Sequence, residues 1–379
     1  MAAQKKVIIV CGEPSGDVNA AHLANALYAE IPGISIMAVG GLHLRQAGVK
    51  IIRDIKDLSV IGLFDVFKKL PLFLSLKNLI LETIASEKPD AIILVDFSGF
   101  NLRLAKAINK KIPVIYYTSP QIWASRTGRV QTIKRWVNMM LVFFPFEADF
   151  YKKHGFEANF VGHPLLAIVK PSLDKKTFLH NIGLDPQKTT IALLPGSRKS
   201  EITAILPVML DAARLIQQRI PETQFVIAQA TNIDEYVYED ILKKKGMNTL
   251  MEKGRAYDCI NASELVLVAS GTATLETAIL EKPHVVIYKM NLLNYLLYRP
   301  QVKIPYIGMA NIVAGKRIVP ECIQFKATGR NIADTALAIL QNNQTRERIL
   351  QELSAMKLKL GQPGAPLRAA KIIAKFITP

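Results

Sequence analysis

The chain has 379 residues, half of them hydrophobic, and a formal net charge of +17. That is enough for two domains with separate cores, at roughly 100–200 residues each. Its three cysteines, Cys11, Cys259 and Cys322, stand far apart without CxxC or Cys/His spacing, which argues against a disulfide framework and a zinc site. The N-terminus lacks a secretory pattern, and no apolar run reaches the ~18–20 residues of a spanning helix. A cytoplasmic protein is therefore expected.

In chain order, apolar runs at Val7–Cys11, Ser35–Val39, Ala91–Val95, Val114–Thr118 and Met139–Phe144 read as strands. A second series follows at Thr190–Leu194, Gln224–Ala228, Glu264–Ala269 and His284–Tyr288. Near-continuous apolar runs are typical of parallel strands buried on both faces, and the helical patterns between them indicate right-handed βαβ units. The chain thus reads as α/β, with two doubly wound halves. Pro164 and Pro171 break the pattern near Gly162–Asp174. The expected division is 1–165 and 166–344, with 345–379 returning to the first domain.

The most informative loop is Ser270-Gly271-Thr272-Ala273-Thr274-Leu275-Glu276, which follows an apolar strand and opens a helix. Such a turn aims free N–H groups at an anion, and it suits a phosphate or diphosphate. Glu276, inside that helix on the side of the mouth, can accept hydrogen bonds from ribose hydroxyls. Pro195-Gly196-Ser197-Arg198 ends another apolar strand, and Arg198 can pair bidentately with a diphosphate. In the first half, Gly12-Glu13-Pro14-Ser15-Gly16-Asp17 follows the first strand. Its Gly-x-x-x-Gly spacing disfavours a nicotinamide dehydrogenase. In an open α/β sheet the ligand crevice lies at the carboxyl ends of the strands, where Glu13, Ser15, Asp17, Asp96 and Ser119 all fall. Asp96 is either a general base or a helix cap, and Glu13 is its rival as base. His163, before Pro164, reads as structural.

Taken in order, several motifs resemble the lipid-A-disaccharide synthase family of bacterial GT-B glycosyltransferases. They are the Gly12–Asp17 loop, Ser119-Pro120 with Trp123-Ala124, Pro145-Phe146-Glu147, Gly162-His163-Pro164, Leu194-Pro195-Gly196-Ser197-Arg198, Ser270–Glu276 and Asn311-Ile312-Val313-Ala314-Gly315-Lys316, with a C-terminal echo at Gly364-Ala365 and Arg368-Ala369-Ala370. Three positions depart from the family pattern: Gly99 where a second Asp is expected after Asp96, Ser125 for a Trp, and Ala310 for a Pro.

The resemblance implies the GT-B architecture, two Rossmann-like domains facing across a cleft. It also implies a donor, UDP-2,3-diacylglucosamine, an acceptor, 2,3-diacylglucosamine 1-phosphate (lipid X), and as products UDP and a β-1′,6-linked disaccharide 1-phosphate. Transfer from an α-linked donor to a β product is inverting. Asp96 or Glu13 would take the proton of the acceptor hydroxyl. Arg198, Ser270, Gly271 and Thr272 would hold the leaving UDP, Glu276 its ribose, and Asn311 the UDP or the transferred sugar, with Ser15 at the mouth of the first half. No cofactor and no metal are expected, and a homodimer is left open. Another GT-B enzyme, such as a cell-wall precursor glycosyltransferase or a UDP-sugar 2-epimerase, is the alternative.

The charge calls for an anionic partner. No acidic residue stands between Asp96 and Glu147, whereas Arg103, Lys106, Lys110, Lys111, Arg126, Arg129, Lys134 and Arg135 do. Nucleic acid is disfavoured because no aromatic-interleaved basic motif occurs. An anionic membrane surface suits acylated substrates better. Val66, Phe67, Leu70, Leu72, Phe73 and Leu74, with lysines interleaved, read either as a core helix or as an interfacial segment. Pro71 argues against one straight helix there. The interfacial reading puts the protein on the cytoplasmic face of the inner membrane.

Overall fold

The computed structural model describes residues 4–58, 70–292, 295–296, 299–301 and 304–378. The chain divides into two compact units: Met1–Pro164 with Leu360–Pro379, and Leu165–Lys359. The segment that joins the first unit from the C-terminus therefore begins at Leu360 rather than at 345. The helix Asn343–Lys359 stays with the second unit, and a break containing Gly361, Pro363 and Gly364 separates it from the helix Ala365–Ile377.

Among the described residues of the first unit, seven parallel strands form one sheet. They are β1 (Lys6–Val10), β2 (Ser35–Gly40), β3 (Lys50–Asp54), β4 (Ala91–Val95), β5 (Val114–Tyr117), β6 (Met139–Val142) and β7 (Asn159–Phe160), in the order β3-β2-β1-β4-β5-β6-β7. Ile8, Ile9, Ile92, Ile93 and Tyr116 are fully buried, as helices on both faces require. One covering helix, Pro14–Glu30, starts with a proline at N1, where its missing N–H costs nothing. Its Ala20, Leu23, Ala24 and Leu27 are buried. The helix Ala365–Ile377 packs on it with Ala369, Ala370 and Ile373 buried. Arg368 pins that returning helix: its Nε donates to the Val161 carbonyl (2.8 Å) and its Nη1 to that of Pro363 (2.9 Å).

In the second unit, β8 (Thr189–Leu194), β9 (Thr223–Gln229), β10 (Leu250–Lys253), β11 (Leu265–Ala269), β12 (His284–Tyr288) and β13 (Glu321–Ile323) are also all parallel. Their order is β10-β9-β8-β11-β12-β13. In both sheets the strand order reverses once, between β1 and β4 in the first and between β8 and β11 in the second. At such a switch point the loops above two neighbouring strands diverge and leave a crevice for ligands.

Pro71 lies at the N-terminal end of the helix Leu70–Glu87 as described. Leu76 and Ile80 of the helix are buried in the core, Leu72 and Phe73 pack partly against it, and Leu74 is 49% exposed. Val66 and Phe67 lie outside the described residues, as does the side chain of Leu70. Among the described residues no helix is long and apolar enough to cross a membrane.

Candidate active site

At the first switch point the loop after β1 meets the loop after β4. Asp96 and Phe97 both adopt the left-handed conformation, with φ of 48° and 44°. This costs an L-residue about 1–2 kcal/mol each, so the surroundings must enforce it. Asn101 does so from within the next helix, Ser98–Ile108. Its fully buried amide donates to the carbonyls of Val95 (3.2 Å) and Asp96 (3.0 Å). The Tyr116 hydroxyl donates to the same Asp96 carbonyl at 2.8 Å. The ring of Phe97 lies over Gly12, where any Cβ would run into it. It also stacks on Phe100 and touches Phe73, with ring centroids 5.2 and 5.8 Å away. Phe73, expected at a membrane surface, thus braces the loop that carries Asp96.

This bend lays the Asp96 carboxylate over the first turn of the helix Pro14–Glu30: Oδ2 is 3.1 Å from where a Cβ on Gly16 would stand. Burial, then the neighbouring charge of Glu13, raises its pKa to about 6. A carboxylate with that value is ionised at neutral pH yet basic enough to take a proton in a transition state. Glu13 is exposed and holds the N-cap position without a capping hydrogen bond, and Ser15 is exposed two residues on, in the first turn. Both remain available to a ligand.

Two other residues at strand ends are committed to the fold. Asp17 is buried and accepts from the backbone N–H of Gly41 (2.6 Å) and His43 (2.8 Å), tying the loop after β2. Ser119 is buried against Tyr151, oxygen to oxygen at 2.9 Å. Nearby, buried Glu147 accepts from Trp123 Nε1 (3.1 Å) and from the N–H of Phe144 (3.2 Å), and burial lifts its pKa to about 7. His163 is buried with its ring against Phe144, and burial holds its pKa near 3, so it stays neutral.

At the second switch point, β8 ends in Pro195 and Gly196. Gly196 has φ of 119°, and a Cβ there would press on Glu201. Arg198 caps the long helix Lys199–Arg219, and its side chain is 78% exposed. Its Nη1 pairs with Glu201 Oε1 at 2.7 Å, while Glu201 Oε2 accepts the Ser197 N–H. Among the described residues, Arg198 Nε and Nη2 have no partner and are free for a bidentate anion. Tyr288, at the end of β12, feels the charges of both Arg198 and Glu201.

The strand beside it, β11, ends in Ser270, whose hydroxyl donates to the Ile307 carbonyl at 3.1 Å. Gly271, at φ 150°, turns the chain into the helix Thr272–Ile279. Gly271 and Thr272 are exposed, so the first N–H groups of this helix face outward, where the helix carries its positive end. Glu276 accepts from the Tyr257 hydroxyl at 2.9 Å, and burial raises its pKa.

Asn311, expected to meet the UDP or the transferred sugar, is held inside the fold. It is fully buried, and its amide is saturated: Nδ2 donates to the Val319 carbonyl (2.9 Å) and to Glu321 Oε1 (2.8 Å), while Oδ1 accepts from Ile318 N (2.8 Å) and Val319 N (3.0 Å). Both ends of its side chain are thus engaged within the protein. Glu321 also accepts from Gly308 N at 2.9 Å, and Met309 N donates to Thr274 Oγ1 at 3.1 Å. Asn311 therefore stitches the segment beside the Ser270 turn through its side-chain amide. Glu321, Tyr257 and Tyr116 were missed in the sequence, because a lone polar residue with a distant partner leaves no local pattern.

Two parallel doubly wound units, each with its polar groups at a switch point, define the GT-B class. Acinetobacter baumannii MurG has a similar fold, with a TM-score of 0.57 at 16% identity over 98% of this chain and 99% of that one. So does the UDP-GlcNAc 2-epimerase of Neisseria meningitidis bound to UDP-GlcNAc, with a TM-score of 0.64 at 14% identity over 98% and 99%. Within that class the chain belongs to the lipid-A-disaccharide synthase family. The family model described as Lipid-A-disaccharide synthetase matches residues 7–376. The lipid-A-disaccharide synthase of Syntrophus aciditrophicus is 44% identical over 98% of both chains. The chain is accordingly a glycosyltransferase of lipid A biosynthesis.

Proposed function

We propose that the chain transfers 2,3-diacylglucosamine from UDP-2,3-diacylglucosamine to the 6-hydroxyl of 2,3-diacylglucosamine 1-phosphate, with inversion and without a metal ion. The poised Asp96 carboxylate at the first switch point carries this reading. Asp96 takes the proton from the acceptor hydroxyl as its oxygen attacks the anomeric carbon. The bond to the UDP oxygen breaks on the opposite face, so one displacement inverts the α-linked donor into a β product. Negative charge grows on the leaving diphosphate. Arg198 and the outward N–H groups at Gly271–Thr272 are the donors suited to stabilise it. Glu276, oriented by Tyr257, accepts from the ribose. Glu13 tunes Asp96 through its charge.

Both substrates carry acyl chains, so the reaction belongs at a bilayer surface, here the cytoplasmic face of the inner membrane. The segment that contains Val66, Phe67, Leu70, Leu72, Phe73 and Leu74 is the proposed contact. Its described part supports this through Leu74, which points outward. Leu74→Ser is the clean probe in vesicle flotation, because Phe73 also braces Phe97.

Mass spectrometry of products from UDP-diacylglucosamine tests the reaction. A disaccharide 1-phosphate should form only with the acceptor present, and Asp96→Asn should all but abolish it. UDP release without acceptor, at a comparable rate, would replace the transferase reading by an epimerase-like one. Loss of activity in EDTA that added metal restores would remove the metal-free part.

A further inference from the structure

Among the arginines of the first unit that the proposed reaction has not used, three stand out, Arg103, Arg126 and Arg129. Arg103 lies in the second turn of the helix Ser98–Ile108, whose first turn follows Asp96. Arg126 sits at a left-handed bend, φ 38°, and Arg129 ends the short turn Thr127–Arg129 that follows. The helix after that turn, Val130–Trp136, packs on the helix Ser98–Ile108, and the charges of Arg126 and Arg103 both reach Arg129.

Arg129 is half-buried. Burial and the charges of Arg126 and Arg103 all work against its guanidinium, which lies within electrostatic reach of Tyr116. Tyr116 is the residue whose hydroxyl holds the Asp96 carbonyl at 2.8 Å. Arg45, Arg198 and Arg255 each pair with a carboxylate, but among the described residues none of these three arginines does. No acidic residue occurs between Asp96 and Glu147 that could serve them. Three like charges without counterions repel one another, and one is partly taken out of water. A bound dianion relieves both costs, and arginine forks match the oxygens of a phosphate.

We propose that Arg103, Arg126 and Arg129 seat a phosphomonoester, the 1-phosphate of the acceptor sugar, beside the carboxylate that deprotonates its hydroxyl. This rests on the reaction proposed above. The phosphate would fix which hydroxyl faces Asp96, so the cluster sets acceptor choice as well as affinity.

The test uses the full-length Arg103→Gln/Arg126→Gln variant, both positions being exposed, with circular dichroism to confirm the fold. Transfer is measured to diacylglucosamine with and without the 1-phosphate. Wild-type enzyme should favour the phosphorylated acceptor in kcat/KM, and the variant should lose about tenfold or more of that preference. An unchanged preference overturns the proposal. Calorimetric titration with soluble glucosamine 1-phosphate, against glucosamine, reads the site without any transfer. If the wild type transfers to neither acceptor yet binds the sugar phosphate through these arginines, the reaction is wrong and the phosphate site stands. Flotation with phosphatidylglycerol vesicles separates the other source of phosphate. A variant that loses flotation while keeping its acceptor preference and sugar-phosphate binding assigns the cluster to the bilayer and overturns the proposal.

Discussion

The two switch points share one topology and carry opposite chemistry. In the first unit the loops above β1 and β4 present carboxylates, Glu13 and Asp96. In the second the loops above β8 and β11 present a cation, Arg198, and the bare positive end of a helix. The backbones differ in the same sense. The second unit makes its sharp turns with glycines, Gly196 and Gly271. The first forces two side-chain-bearing residues, Asp96 and Phe97, into the left-handed region and spends Asn101 and Tyr116 to hold them there. A turn that only has to expose its N–H groups is best left to glycine. A turn that has to aim a carboxylate must carry a side chain and accept the strain.

Removing the aimed group breaks this comparison most severely. Asp96→Asn should lower kcat by ~10²–10⁴ while leaving UDP affinity in place, measured by steady-state kinetics and calorimetry. If Glu13→Gln does this and Asp96→Asn does not, the roles are exchanged. The same carboxylate sets two pH dependences. Activity should fall as pH drops through about 6, because the base becomes protonated. Stability runs the other way. The folded-state pKa is raised, so the stability tied to protonated Asp96 is full below about 4 and is lost as pH rises through about 6. Asp96→Asn should therefore raise stability at pH 8 by roughly 1–3 kcal/mol in urea titrations, and by little at pH 4.

Arg198→Ala comes next. A charged hydrogen-bonding group is worth about 1.5–3 kcal/mol, so UDP affinity should drop about ten- to a hundredfold with the fold intact, the side chain being exposed. An unchanged Kd would leave diphosphate binding to the helix terminus alone. Tyr257→Phe should cost less, about three- to tenfold in donor KM, because Glu276 stays and loses only its orienting donor. The smallest effect belongs to Gly99, in the first turn of the helix after Asp96. A Cβ there meets nothing within 4 Å, so Gly99→Ala should stabilise by about 0.4–1 kcal/mol with kcat nearly unchanged. A large fall in kcat would show that this first turn must flex.

The sequence made the central strands plain because they are buried on both faces. Ala91–Val95 and His284–Tyr288 are read to the residue. The strands it did not reveal are β3, β7, β10 and β13, which are the four sheet edges. Lys50–Asp54 and Leu250–Lys253 carry charges and are half-exposed, and β7 and β13 span two and three residues, so none forms an apolar run. Asp96 was visible because a carboxylate ending an apolar strand is conspicuous. Its bend was not, because Asp-Phe is an unusual pair for the left-handed region. Asn311 was legible as part of a motif but its hydrogen bonds were not, since its partner Glu321 comes from a strand too short to see. The return of the chain to the first unit was anticipated, but not its start at Leu360, which depends on packing rather than on pattern.

That return has a consequence for how the molecule is made. Residues 165–359 all intervene between the end of the first unit's main segment and the helix that completes it. At ribosomal rates of about 5–20 residues per second, the N-terminal segment waits roughly 10–40 s for Ala365–Ile377 to emerge. During that interval the apolar surface on helix Pro14–Glu30 that Ala369, Ala370 and Ile373 will cover lies open to water. The first half to be synthesised is thus the last to be finished. Loss of the last twenty residues, however far from the reacting groups in sequence, would strand the part of the molecule that holds Asp96.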